Sequence, residues 1–258
     1  MTESTPKKLR VLCLHGHRTN DKVMMNQTKG MRAAFGDDAE FIFLNAPSEA
    51  RGETDPVILH HHGQDAPFYE WWAVRPVEPE DSYPTEDAEW PLIHEFFDES
   101  IEYMNRKLKE LGPIDVVLGF SQGAVLLTIL SMLYLQHYNQ RPWKLCMCVG
   151  GVHVRAINQQ HLFRTPSGSD LLVPFPSIHI IGENDPMHDE SISLSEMYDN
   201  YPTAYPQSPL RKLVLYHTGN HKFPSATKHA KLYEDLVRIV KDHCRACDTP
   251  PAIASAKL

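Results

Sequence analysis

Short apolar runs rich in β-branched residues alternate along the chain with longer stretches of helical period, and turn residues separate them. The runs Leu9 to Leu14, Phe41 to Leu44, Ile114 to Leu118, Lys144 to Val149, Ile178 to Ile181 and Leu213 to Tyr216 read as six strands. Most of them are followed by a stretch that the pattern predicts to be helical. One opens at Asn20 or Asp21 and is ended by Gly36; one has Pro91 in its first turn and stops at Gly112 after Leu111. A third begins near Gln122, and a final amphipathic helix covers roughly Ser225 to His243. Parallel-type strands separated by helices predict an α/β fold, with a mostly parallel central sheet of about six strands and helices on both faces.

From Pro47 to about Trp90 the periodicity fails. The stretch is rich in Pro, His and acids yet holds Phe68, Tyr69, Trp71 and Trp72, so residues 48–90 are expected to be an insert or lid after the second strand. The expected organisation is one domain over residues 1–247 and a disordered tail over 248–258, DTPPAIASAKL.

A chain of 258 residues with 42% hydrophobic content buries a substantial core, which excludes intrinsic disorder. Lys and Arg number 25 against 33 Asp and Glu, a formal net charge of −8, so nucleic acid and anionic membrane surfaces are not expected partners. The apolar stretch before His15 is too short for a secretory core, and the run Ala124 to Leu135, broken by Thr128 and Ser131, is too short to span a bilayer. A cytoplasmic protein with no membrane span is the expectation. The five cysteines, Cys13, Cys146, Cys148, Cys244 and Cys247, form an odd set, three of them in strand-like segments where thiols act as small hydrophobes. The pattern sets no oligomeric state.

The chemistry begins at Gly119-Phe120-Ser121-Gln122-Gly123, a G-x-S-x-G motif entered by an apolar strand and left by a long apolar helix. A tight strand-to-helix turn needs small residues on both sides so that the serine hydroxyl stands clear of the backbone. Serine is a weak nucleophile until an imidazole takes its proton and a carboxylate fixes that imidazole, so an acid and a histidine are expected after later strands, in that order. Gly182-Glu183-Asn184-Asp185-Pro186 offers Asp185, with Glu183 close to the strand end and Asp189 placed to cap the next helix. His217-Thr218-Gly219-Asn220-His221 offers His221 on the loop before the last helix, ahead of His217 on the strand end. Two backbone amides are needed for the developing oxyanion, and Gln122 and His17 are the candidates.

Together, Leu12-Cys13-Leu14-His15-Gly16-His17-Arg18-Thr19-Asn20, the Ser121 motif, the Asp185 turn and the loop from His217 to Pro224 resemble the FSH group, the family of serine hydrolases within the α/β-hydrolase superfamily. The likeness spans about residues 8 to 243, and Trp71-Trp72 matches a Trp pair usual in that family, while Asn220 stands where the family has a second glycine. The resemblance implies an α/β-hydrolase fold and hydrolysis of carboxylic esters or thioesters, often of apolar acyl chains, without a cofactor. A small-molecule acyl ester or thioester is the implied partner. Acyl transfer from the same nucleophile and a non-catalytic binding protein on this fold are the alternatives. Phe68, Tyr69, Trp71 and Trp72 are candidate walls of an acyl pocket.

Two other signals read as structure. His60-His61-His62 are adjacent residues that do not easily converge on one metal, and Cys244-Arg245-Ala246-Cys247 is a lone CxxC at a helix end. No metal site is assigned.

Overall fold

A computed structural model describes residues 7–83, 89–200, 208 and 210–248. The elements run β1 (Leu9–Leu14), α1 (Asp21–Gln27), α2 (Lys29–Phe35), β2 (Ala39–Leu44), β3 (Ser48–Glu49), α3 (Pro56–His62), β4 (Tyr69–Glu70), β5 (Ala73–Pro76), β6 (Leu92–Glu95) and α4 (Phe97–Leu111). They continue β7 (Val116–Phe120), α5 (Gln122–Tyr138), β8 (Leu145–Val149), β9 (Ser177–Gly182), α6 (His188–Glu196), β10 (Lys212–His217) and α7 (Ala230–Asp248). Six strands form one parallel sheet in the order β10-β9-β8-β7-β1-β2. This is the mostly parallel α/β sheet anticipated from the alternation, and it fits the α/β-hydrolase fold that the resemblance implies.

Strand period two sorts the sheet residues onto two cores. Leu12, Leu14, Val117, Cys146 and Cys148 face the layer that includes α5, whereas Val11, Cys13, Val116, Leu118, Leu145 and Met147 face α2 and α7. Helix α5 is buried all round, every residue from Gln122 to Tyr134, which is why its sequence is apolar without a polar stripe. From β1 the chain goes to β2 on one side and later to β7 on the other. The carboxyl ends of β1 and β7, in register at Leu14 and Gly119, therefore flank a topological switch point, the usual place for a site in such sheets.

Several boundaries differ from the pattern reading. The first helix is broken at Thr28, whose hydroxyl donates to the Met24 carbonyl at 2.8 Å; Asn20 caps it and Gly36 closes the second half. The helix expected from Pro91 is instead β6 followed by α4, with Phe96 left-handed (φ 59°) at the break. Its local pattern is overridden by antiparallel pairing with β5, Ala73 opposite Glu95, and by Asn158, whose Oδ1 accepts from the His94 amide. The stretch without periodicity contains α3, the short pair β3–β4, and β5, whose partner β6 follows it. His60 to His62 form the last turn of α3, where His62 Nδ1 lies 3.0 Å from Asp65. All five cysteines are free thiols. Apart from Asp248, the tail lies outside the described residues. Among those described, no helix is long and apolar enough to cross a membrane.

Burial leaves a pH signature. It pushes His15 down to about 4 and both His94 and His179 down to about 3, so these imidazoles are neutral in the folded chain. The unfolded chain binds protons at these residues near 6.5, so stability is complete above that pH and falls as pH drops from about 6.5 toward 4 and 3. Urea titrations at pH 7.5 and 5 are expected to show a lower unfolding free energy at pH 5. Equal values contradict the burial of neutral imidazoles.

Candidate active site

Ser121 sits between β7 and α5 with φ 51° and ψ −117°, a left-handed conformation held by its amide donating to the Val149 carbonyl at 3.0 Å. The flanking glycines are demanded by close backbone approach. A Cβ on Gly119 would stand 2.4 Å from the Gly123 carbonyl oxygen, and one on Gly123 would stand 2.2 Å from that of Leu14. Any side chain at either position forces β1, β7 and α5 apart.

Asp185 and His221 come together from two loops. The Nδ1–H of His221 donates to Asp185 Oδ2 at 2.8 Å, while Asp185 Oδ1 accepts the Met187 amide at 2.7 Å. The carboxylate side chain is 1% exposed and the imidazole 30%, so the acid is sealed while the ring reaches the cleft. Backbone bonds lash the loops to each other: Glu183 N–H to the His217 carbonyl at 2.8 Å and Asn184 N–H to that of Gly219 at 3.1 Å. Phe120, the variable residue before Ser121, packs its ring 5.1 Å from that of His221. With Nδ1 protonated toward Asp185, the neutral imidazole keeps its Nε2 lone pair for another group.

Neither rival makes the bond to His221 or Asp185, and Asp189 lies inside the first turn of α6 rather than at its cap, which is Met187. His217 is buried and its Nδ1 accepts from the Gly219 amide at 3.1 Å.

Ser121, Gln122 and His221 border a cleft of about 290 Å³. Trp72, Val74, Leu92, Val125, Val152 and Met187 give it apolar walls, and His17, Arg18, His94, His153 and Arg155 add polar groups. Arg155 is tied to Glu190 at 2.8 Å. His94 stacks on Trp72 with ring centroids 4.5 Å apart. The Gln122 amide opens α5, where the first N–H groups of a helix have no carbonyl partner within it. His17 follows β1 at the same edge, which brings the two candidate amides to neighbouring strand ends.

Of the four aromatic residues expected to wall the pocket, only Trp72 borders this cleft. Trp71 is fully buried and its indole N–H donates to the His15 carbonyl at 2.9 Å; Phe68 and Tyr69 also lie outside the lining. Sequence reasoning missed Glu70, a carboxylate with 0% side-chain exposure that receives Arg18 Nε at 3.1 Å. Its signal was there: an acid flanked by Phe68-Tyr69 and Trp71-Trp72 has apolar neighbours on both sides and needs a partner once buried.

A family model described as Serine hydrolase (FSH1) matches residues 1–233. Esterase OVCA2 of Danio rerio is 28% identical over 239 residues, covering 89% of this chain and 96% of its own. The Homo sapiens Esterase OVCA2 is 26% identical over 235 residues, with 88% of this chain and 94% of that one covered. Among solved structures, Zea mays acyl-protein thioesterase 2 superimposes with a TM-score of 0.53 at 14% identity, covering 92% of this chain and 96% of that one, a likeness of fold.

Proposed function

The chain belongs to the serine hydrolase (FSH1) family, and from that premise we propose that it cleaves carboxylic ester or thioester bonds of apolar acyl substrates through a Ser121–His221–Asp185 triad. The observation that carries this reading is the 2.8 Å His221–Asp185 hydrogen bond, made at the cleft that Ser121 also borders. His221 Nε2 takes the Ser121 proton as Oγ attacks the acyl carbonyl, and the amides of His17 and Gln122 receive the oxyanion. Collapse of the tetrahedral intermediate expels the alcohol or thiol, protonated by His221, and leaves an acyl-enzyme. Water, deprotonated by the same imidazole, then releases the acid. Nothing in this sequence of steps calls for a cofactor.

Product analysis with p-nitrophenyl and thiophenyl acyl esters tests the reading. Free acid as the main product supports hydrolysis, and acyl transfer to an added alcohol or amine in place of water identifies an acyltransferase.

The apolar lining also sets the substrate preference. Trp72 is the aromatic wall, so medium or long acyl chains are expected to exceed acetate in kcat/KM, with up to about 0.8 kcal/mol per buried methylene. Trp72→Ala is expected to flatten that series while leaving acetate hydrolysis largely unchanged. A wild-type profile that is flat from two to ten carbons contradicts an apolar acyl site.

A further inference from the structure

The two candidate oxyanion amides belong to segments about a hundred residues apart. The β1–β7 pairing fixes them only as far as Leu14 and Gly119. Beyond that register the loop from His15 to Thr19 leaves the sheet, and Arg18 within it is left-handed (φ 51°), a conformation that a residue with a Cβ keeps only under outside constraint.

That constraint comes from three successive residues. The Tyr69 amide donates to the Thr19 carbonyl at 2.7 Å. Glu70, fully buried, receives Arg18 Nε at 3.1 Å and the Arg51 amide at 3.2 Å, with His17 Nε2 3.6 Å away. The Trp71 indole donates to the His15 carbonyl at 2.9 Å. On the other side, Gln122 grips the same segment by both ends of its side-chain amide: Oε1 accepts the Trp71 amide at 3.2 Å and Nε2 donates to the Trp72 carbonyl at 2.9 Å. The Ser100 hydroxyl donates to the Trp71 carbonyl and ties the segment to α4. His15 completes the loop. Its Nε2 accepts the Ala46 amide at 3.0 Å, so its proton is on Nδ1, which donates to the Gly16 carbonyl at 2.8 Å.

We propose that Tyr69 to Trp72 form a strap that sets the separation and aim of the two oxyanion donors, with Glu70 and Trp71 as positioning residues and the Gln122 side chain as its anchor on the nucleophile side. Each donor's flanking chain is bonded to this one segment, so the strap adds a hydrogen-bonded link to the direct packing of Gly123 against the Leu14 and His15 carbonyls. Removing a donor outright costs about 10²–10³-fold in kcat, and misaiming one costs a part of that.

The strap rests on the serine-esterase reading, and the two are separable by experiment. Glu70→Gln removes the charge at constant shape, and Trp71→Phe removes the indole donor while keeping a ring. Each is measured per active site titrated with a fluorophosphonate. The strap predicts kcat lower by about 10- to 100-fold, KM within about twofold of wild type, and affinity for an alkyl trifluoromethyl ketone, whose adduct carries an oxyanion, weakened by the same factor as kcat/KM. Trp143→Phe, in the core away from the cleft, controls for stability: a lower Tm with kcat per site unchanged. Should neither strap variant fold, Gln122→Met unhooks the same segment from the elbow and is held to the same criteria. Variants with wild-type kcat per site, or with lower kcat but undiminished ketone affinity, overturn the strap alone. Wild-type turnover without an adduct on Ser121 overturns the serine-esterase reading on which it rests.

Discussion

Asp185→Asn is expected to lower kcat by about 10⁴-fold while the protein stays folded, the size of effect seen when a triad carboxylate is made an amide elsewhere. The reason lies in how Asp185 divides its two oxygens. Oδ1 accepts the Met187 amide at 2.7 Å and Oδ2 accepts His221 Nδ1–H at 2.8 Å. An asparagine here keeps its single oxygen toward Met187, since turning the amide over sets N–H against N–H. Its NH₂ then faces His221 Nδ1, which becomes an acceptor, and the imidazole proton moves to Nε2. The ring presents a proton to Ser121 where a lone pair is needed. Asp189→Asn, on the exposed first turn of α6, is expected to leave most of the activity. A greater loss from Asp189→Asn than from Asp185→Asn shows that the acid has been misassigned.

Ser121→Ala is expected to be as severe, at about 10⁴-fold or more, with the residual rate supplied by the oxyanion donors and substrate binding. Because the three side chains act as a unit, adding His221→Ala to Ser121→Ala is expected to cost little beyond the first change. The serine's position explains why no neighbouring group substitutes for it. Its left-handed backbone, pinned at the Val149 carbonyl, sets the residue at the edge of the cleft that His221 also borders. Additive losses in the double variant contradict joint action. The check is kcat/KM for the two single variants and the double on one activated ester.

The parallel sheet was legible because strands covered on both faces are continuous apolar runs, and Val116–Phe120 and Leu145–Val149 carry that pattern unmixed. The order of nucleophile, acid and histidine was legible for a related reason: each stands just past a strand end in a turn marked by glycine. What could not be read locally was made by distant partners. β6 owes its existence to β5 and Asn158, so Pro91 and the helix-like residues after it gave the wrong local signal. The Trp pair was read as one feature, yet adjacent residues in extended chain point to opposite sides, and only Trp72 borders the cleft while Trp71 turns inward to His15. Glu70 stayed hidden because its partners, Arg18 and Arg51, are 52 and 19 residues away. Other lining residues, among them Leu92, His94, Val152, Arg155 and Met187, come from segments whose only common feature is their convergence in the fold.

Whether Ser121 is a covalent nucleophile is decided by mass spectrometry of the fluorophosphonate-treated protein with peptide mapping. One adduct per chain is expected, located on Ser121, with loss of ester hydrolysis in proportion to labelling and no adduct in Ser121→Ala. An adduct mapped to another residue, or sustained hydrolysis by protein that carries no label after exhaustive treatment, contradicts it.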